Sequence, residues 1–78
     1  MEFLKRITFD PSVMGGKPCI RGMRVTVGTL VEMVANGYTV QRILKGFPYL
    51  EAEDITAALL YAAWRAEERE LPLIGTAA

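Results

Sequence analysis

The amino-acid sequence predicts a mainly α-helical domain in which three short helices follow an N-terminal β-ribbon. The chain has 78 residues, which is enough for one small domain. Its first third carries β-prone runs separated by glycine and proline turns, and the part that follows carries apolar side chains at helical spacing. We therefore divide the chain into an N-terminal arm with a β-hairpin (1–25), a three-helix domain (26–70) and an extended or disordered tail (71–78).

The N-terminal ribbon is predicted from two short β-prone segments. The run from Ile7 to Phe9 is closed by Asp10-Pro11, because a residue that precedes proline avoids the helical conformation. The second segment, 18–25, is predicted to form a tight hairpin in which Gly22 supplies a positive φ. Strands this short need the rest of the domain to pack against.

The first two helices are predicted from their capping residues. The first begins after Thr26, a good N-cap, and ends at Gly37, the usual residue after a helix C-cap. The second runs from Val40 to Lys45, with Thr39 as its N-cap and Gly46 as its stop. The connections are short, so the helices are expected to pack as neighbours.

The third helix, from about residue 52 to about residue 69, is apolar over most of its circumference. Between Ile55 and Ala66 only Thr56 and Arg65 are polar. Such a helix must be covered on more than one side, so we expect a homodimer or a partner protein on it. The alternative is that exposed alanines inflate the apolar count. The interface candidates on this helix and in the tail are Ile55, Leu59, Leu60, Tyr61, Trp64, Leu71, Leu73 and Ile74.

Composition excludes several classes of protein. A net charge of zero excludes a histone-like polyelectrolyte, and the absence of histidine removes the commonest metal ligand and general base. The single cysteine, Cys19, cannot form an internal disulfide and is expected to be a small buried side chain. We find no catalytic, cofactor or metal-binding constellation and expect a protein that is not an enzyme. With no membrane span and no signal peptide, the expected location is the cytoplasm.

The charges are balanced overall but segregated along the chain. Seven of the nine basic residues precede Phe47, and six of the nine acidic residues follow it. This asymmetry indicates a basic face for an anionic partner, although attraction between subunits or chance scatter would also explain it. The second and third helices resemble a helix-turn-helix pair, but Glu51, Glu53 and Asp54 at the start of the third would repel phosphates. If DNA is bound, the basic ribbon is expected to contact it. The DNA-binding candidates are Lys17, Arg21, Arg24, Arg42 and Lys45.

A series of motifs, in order and at defined spacing, resembles a known family. The motifs lie at 7–11, 16–25, 37–39, 43–44, 47–50 and 53–62. The most distinctive is Gly16-Lys17-Pro18-Cys19-Ile20-Arg21-Gly22-Met23-Arg24-Val25. Together they resemble the small prokaryotic domain-of-unknown-function family four hundred and thirty-three. The resemblance implies a homeodomain-like, three-helix fold and a VapB-like antitoxin that binds a PIN-type toxin and its own promoter DNA.

Three positions depart from the family pattern: Met23 replaces a threonine, Cys19 stands where valine is usual, and Glu51 replaces the serine or threonine before the third helix. The resulting hypothesis is a dimeric, antitoxin-like regulator whose third helix and tail hold the partner and whose basic ribbon meets DNA. The alternative is a protein-interaction module that forms a homodimer and binds no DNA.

Overall fold

The structure is a computed structural model that describes residues 2–68. A 3-10 turn, Glu2–Arg6, leads into strand β1, Ile7–Thr8; a second 3-10 turn, Met14–Gly16, precedes strand β2, Cys19–Ile20. Helices α1 (Val27–Ala35), α2 (Val40–Gly46) and α3 (Ala52–Glu68) follow. The predicted mainly α-helical domain with three helices and a short N-terminal ribbon is confirmed. The predicted tail, 71–78, lies outside the described residues.

The two strands of the ribbon come from the two predicted segments and pair with each other. β1 and β2 are antiparallel, with Ile7 opposite Ile20 and Thr8 opposite Cys19. The hydroxyl of Thr8 accepts a hydrogen bond from the backbone N–H of Gly22 at 2.8 Å. The N-terminal segment is therefore fixed to β2 by both backbone and side-chain contacts.

The predicted hairpin within 18–25 has its tight turn at Arg21 and Gly22, but a bulge interrupts the pairing beside that turn. The carbonyl of Ile20 accepts from Met23 N at 2.8 Å, while Ile20 N donates to the carbonyl of Val25 at 3.0 Å. Ile20 thus bonds to Met23 through its carbonyl and to Val25 through its N–H. In a regular antiparallel ladder both bonds would join the same pair of residues, so the pairing is interrupted here. An isolated bridge between Cys19 and Thr26 continues the pairing toward α1. The hairpin therefore pairs residues 18–20 with residues 25–27, two positions further along than a regular two-residue turn would place them.

Both ends of α1 have the predicted capping residues. The hydroxyl of Thr26 accepts a hydrogen bond from the backbone N–H three residues later, which satisfies one of the free donors of the first turn. At the other end Gly37 has φ +91°. The N–H groups of Gly37 and Tyr38 donate to the carbonyls of Val34 and Met33, each at 3.0 Å. This arrangement is the Schellman motif, and it turns the chain into α2.

The hydrophobic core lies between the ribbon and the three helices. Ile20, Leu30, Ile43 and Ile55 have no more than 1% of their surface exposed, so β2 and each helix contribute one fully buried anchor. Each such side chain stabilises the fold by roughly 1.5–3 kcal/mol through removal from water. The other buried apolar members of the core are Ile7, Val25, Val27, Leu50, Ala57, Ala58 and Tyr61. Cys19 is buried, as predicted, and its thiol donates to the carbonyl of Lys17 at 3.3 Å.

Within residues 2–68, no helix has both the length and the hydropathy that a bilayer crossing requires.

Candidate functional site

The first turn of α3 buries one ionised carboxylate. The side chain of Asp54 is fully buried, and Arg21 donates to it twice, from Nε to Oδ1 at 3.0 Å and from Nη2 to Oδ2 at 2.8 Å. Arg6 Nη1 donates to Oδ1 at 2.9 Å, and the backbone N–H of Glu51 donates to Oδ2 at 2.8 Å. Both oxygens of Asp54 therefore have two donors. This fourfold contact joins the N-terminal turn, the ribbon and α3 at one point.

The hydrogen bonds around Asp54 decide its ionisation state. Burial alone would raise the pKa of Asp54, but the hydrogen bonds from Arg21, from Glu51 N–H and from Arg6 outweigh it and lower the pKa to about 2. The same contacts raise the pKa of the arginines. The hydrogen bond to Glu51 is the main cause for Arg6, followed by the bond to Asp54, and the hydrogen bonds to Asp54 are the main cause for Arg21. Asp54 is an anion at neutral pH with no surface exposed to a substrate. Its position makes it a structural residue.

Arg21, one of the predicted DNA contacts, forms hydrogen bonds within the protein. Besides binding Asp54, it donates from Nη2 to the carbonyl of Tyr49 at 3.1 Å. Its backbone has φ +44° and that of Gly22 has φ +75°, the pair of positive values that a type I′ turn requires. Gly22 therefore has the predicted positive φ. Its guanidinium thus donates three hydrogen bonds within the protein, and a phosphate could reach only the 36% of the side chain that stays exposed.

The other four predicted DNA contacts are exposed. Lys17, Arg24, Arg42 and Lys45 take no part in the ion pairs formed among residues 2–68. Lys17 and Arg24 flank β2 and its turn, whereas Arg42 and Lys45 lie on α2. The guanidinium of Arg42 lies over the ring of Tyr38, 4.5 Å from its centroid. Internal pairing of Arg6 and Arg21 thus leaves two exposed cations on or beside the ribbon and two on α2.

The predicted interface residues of α3 fall into two groups. Leu59 and Leu60 are 38% and 48% exposed, which is high for large apolar side chains. Ile55 and Tyr61, by contrast, are 1% and 8% exposed because they pack into the core, and this burial corrects their assignment to an interface. Trp64 is half-buried against the core. The remaining candidates, Leu71, Leu73 and Ile74, lie outside the described residues.

The sequence analysis did not predict the position of Phe9 or the contacts of Asp54. Phe9, assigned there to a strand, lies beyond β1 as an exposed ring whose centroid is 5.9 Å from that of Tyr61. The contact of Asp54 with the N-terminal arm was also missed. A carboxylate three residues after a helix N-cap is a recognised capping signal, so its bond to Glu51 N–H could have been found. Its bonds to arginines far away in the sequence could not.

Three of the grooves on the surface of residues 2–68 lie along the helices. The largest, about 720 Å³, lies between the first turn of α1 and α3, and Lys17, Glu32 and Arg65 are among its lining residues. A second, about 330 Å³, separates the N-terminal turn from α3 next to Leu60. A third, about 470 Å³, lies on α2. Residues 2–68 bring together no group of three cysteine or carboxylate side chains that could hold a metal ion.

Comparison with known proteins identifies relatives of this chain. The model of the family described as "Protein of unknown function (DUF433)" matches residues 7–62. The uncharacterized protein y4eO of Sinorhizobium fredii is 43% identical over 56 residues, which cover 72% of this chain and 25% of that protein. The chain therefore spans a quarter of the length of this curated relative. A crystal structure of a DUF433 member protein from Anabaena variabilis is 35% identical, with a TM-score of 0.74 over 86% of this chain and 67% of that one.

Proposed function

Since the chain belongs to the DUF433 family of proteins of unknown function, we propose that it is a non-enzymatic, antitoxin-like regulator that binds a PIN-type toxin and its own promoter DNA. The observation that carries this proposal is the presence of two different exposed surfaces on one small domain. One is the pair of exposed leucines on α3, and the other is the set of basic side chains on the ribbon and α2.

The protein-binding half of the proposal rests on α3. Leu59 and Leu60 are neighbours on the helix, about 100° apart around its axis, and Ala63 lies one turn beyond them and is also exposed. Together they form an apolar face that a partner would shield from water. Contiguous exposed apolar surface on a small domain is typical of a protein-interaction site. The identity of the partner, a PIN-type toxin, follows from the family resemblance.

The DNA-binding half rests on Lys17, Arg24, Arg42 and Lys45. No acidic side chain among residues 2–68 forms an ion pair with any of them, so binding a phosphate would not require breaking an internal pair. If all four reached phosphates, the logarithm of the binding constant would fall with the logarithm of salt concentration with a slope of roughly −4. DNA binding would then weaken steeply as the salt concentration rises.

The partner is tested by co-expression with the product of the neighbouring gene, followed by size-exclusion chromatography with light scattering. A stable complex that elutes together, with a mass equal to a defined ratio of the two chains, is expected. Elution of this chain alone as a homodimer would contradict the toxin-binding half.

DNA binding is tested by filter binding of the purified protein to duplex DNA at low and high salt. Retention that weakens steeply with salt is expected. No retention at low salt would contradict the DNA-binding half and favour the alternative, a homodimeric protein-interaction module without DNA binding.

A further inference from the structure

We infer that the exposed face of α3 binds a basic amphipathic helix of a partner protein, and that Glu53 and Glu67 select this partner by its charge. This inference rests on the protein-binding half of the proposed function and adds the chemistry of the segment that docks there. The same two glutamates make the face unsuited to a second copy of this chain.

Acidic and apolar residues alternate along this face of α3. Glu53, Leu60 and Glu67 follow one another at intervals of seven residues, Thr56 and Ala63 lie between them, and all five are exposed. At about 100° per residue, the five lie within roughly 80° of the helix circumference. At about 1.5 Å per residue, Glu53 and Glu67 are about 21 Å apart along the helix axis, with Leu60 midway. The face is therefore an apolar centre between two carboxylates.

The charges of the two glutamates are not compensated by neighbouring ion pairs. Glu2 of the N-terminal turn pairs with Lys5 at 3.5 Å. The ion-pair group around Asp54 holds two arginines and two carboxylates, so its charges sum to zero. Among the residues that the structure describes, Glu53 and Glu67 take part in no ion pair. Both carboxylates therefore remain available to a cationic partner.

A groove beside Leu60 offers a place for an apolar side chain of that partner. It separates the N-terminal turn from α3, has a volume of about 330 Å³, and is lined by Phe3, Ala57 and Leu60. The ring of Phe3 is positioned by an edge contact with Trp64, with 6.4 Å between the ring centroids. The polar residues that line the groove are Glu2, Arg6, Glu53 and Thr56. A side chain from a docked helix would enter here as a knob enters a hole in a coiled coil.

The spacing and size of the side chains on this face suit a helical partner. Thr56, Leu60 and Ala63 have the i, i+4, i+7 spacing through which amphipathic helices contact one another. Thr56 and Ala63 are small, so a second helix can approach α3 closely on both sides of Leu60. A partner helix with an apolar stripe and lysine or arginine about four turns apart would place a cation near each of Glu53 and Glu67.

Pairing of this face with itself would bring like charges together. In an antiparallel pair centred on Leu60, Glu53 of one chain lies opposite Glu67 of the second copy at both ends. In a parallel pair each glutamate faces its own copy. Arg65 does not relieve this repulsion, because it lies about 140° around the axis from Leu60 and lines the groove toward α1. Like charges across an interface disfavour the wrong partner, so the face favours a protein of opposite charge.

Two designed peptides test the inference on the full chain. One consists of three heptads with alanine and leucine at the core positions and lysine at the flanking e and g positions. The other carries glutamate at those flanking positions, and like charges at e and g keep each peptide monomeric. Binding is measured by fluorescence anisotropy of the labelled peptides. We expect the lysine peptide to bind at least about tenfold more tightly at low salt. The difference should shrink near 1 M salt, where the screening length is about 3 Å.

Matched variants assign this preference to the two glutamates. Glu53→Gln with Glu67→Gln raises the net charge by two, and Glu32→Lys on α1 raises it by the same amount away from the face. We expect the double variant to bind the two peptides within about threefold of each other and Glu32→Lys to keep the preference. Glu53→Lys with Glu67→Lys is expected to prefer the glutamate peptide. Circular dichroism establishes that each variant is folded.

Several outcomes would overturn the inference. The unmodified protein would then bind both peptides equally or neither of them, or Glu32→Lys would lose the preference as fully as the double variant. A lysine peptide with a central proline must bind more weakly, because proline interrupts a helix; equal binding would exclude a helical occupant. A dimer that Leu60→Glu dissociates, measured by light scattering, would place a second copy on this face instead. Co-elution with the product of the neighbouring gene is measured without the peptides, so the protein-binding proposal is judged separately.

Discussion

Arg21 and Asp54 join the turn after β2 to the first turn of α3 through two parallel hydrogen bonds, Nε to Oδ1 at 3.0 Å and Nη2 to Oδ2 at 2.8 Å. Arg21 makes this contact from a left-handed backbone conformation that side chains other than glycine rarely adopt. The bidentate ion pair offsets that conformational cost, since charge-assisted bonds of this geometry are the strong ones. Asp54 therefore ties α3 to the turn after β2, in addition to the apolar core that the ribbon and α3 share.

Asp54→Asn is expected to destabilise the protein by roughly 2–4 kcal/mol, because it removes the charge from bonds to two arginines. The two arginines are partly exposed and can be solvated, which keeps the loss within this range. The measurement is chemical unfolding followed by circular dichroism. The matched control is Glu53→Gln, an exposed neighbour whose loss should change stability by less than about 0.5 kcal/mol. Equal losses in the two variants would contradict the structural role of Asp54.

The stabilisation from Asp54 is expected to disappear in acid. The pKa of Asp54 is about 2 in the folded protein, below its ordinary value of 3.8, so the folded state favours the charged form. The stabilisation is therefore complete above the ordinary pKa and is lost as pH falls through the folded value. Thermal melts of the unmodified protein and of Asp54→Asn should differ in Tm at neutral pH and converge between about pH 4 and about pH 2. A difference in Tm that persists unchanged to the lower pH would contradict the ion pair.

Removing the side chain of Arg21 should lower the stability of the protein more than removing that of Arg24. Arg21→Ala is expected to cost roughly 1–3 kcal/mol of stability, because Asp54 loses two of its four donors. Arg24→Ala removes a side chain outside the ion pairs and should change stability by less than about 0.5 kcal/mol.

Arg21→Gly separates the backbone cost at this position from the loss of the ion pair. Glycine adopts the positive φ freely, so this variant should be more stable than Arg21→Ala by about 1 kcal/mol. Urea unfolding of all three variants gives the comparison. An Arg21→Ala variant of unchanged stability, with a weaker salt dependence of DNA binding, would instead make Arg21 a phosphate contact.

Leu60→Glu is expected to weaken the partner complex strongly without unfolding the domain. Leu60 is about half exposed, so the substitution costs little in the isolated chain, whereas a buried charge in an interface is unfavourable. A central apolar contact is worth about 2 kcal/mol or more, which corresponds to at least about thirtyfold weaker binding. Isothermal titration with the co-purified partner measures this loss. Ala63→Ser, on the same face of α3, is the control and should bind nearly as well; an undiminished complex with Leu60→Glu would place the interface elsewhere.

The N-terminal ends of α1 and α2 and the C-terminal end of α1 could be predicted from short stretches of sequence because capping is local, whereas α2 includes Gly46, its predicted stop, and ends with Phe47 as its C-cap. Thr26 and Thr39 each accept a hydrogen bond from an N–H three residues later, and Gly37 has the positive φ expected after a helix. Gly22 supplies a positive φ in the turn after β2, again within a few residues. Each of these features is determined by residues that are neighbours in the chain. The family resemblance also came from local motifs at defined spacing.

The ion pairs that engage Arg21, a predicted DNA contact, and Arg6 join residues far apart in the sequence. Arg21 and Asp54 are 33 positions apart, and Arg6 and Asp54 are 48 apart. No periodicity in the sequence indicates that one arginine of the ribbon binds a buried acid while its neighbour Arg24 stays exposed. The split of α3 into buried Tyr61 and exposed Leu60 also depends on where the ribbon and α1 pack.

The sequence by itself determined the element types, most of their bounds and the family, because capping, turn chemistry and motif spacing act over a few residues. Only the tertiary structure decided which charged and apolar side chains remain at the surface. Ion pairs between distant segments engage Arg6 and Arg21, and packing in the core buries Ile55 and Tyr61. The physical reason is that exposure belongs to the packed arrangement of the elements, whereas helix and turn propensity belongs to the local chain.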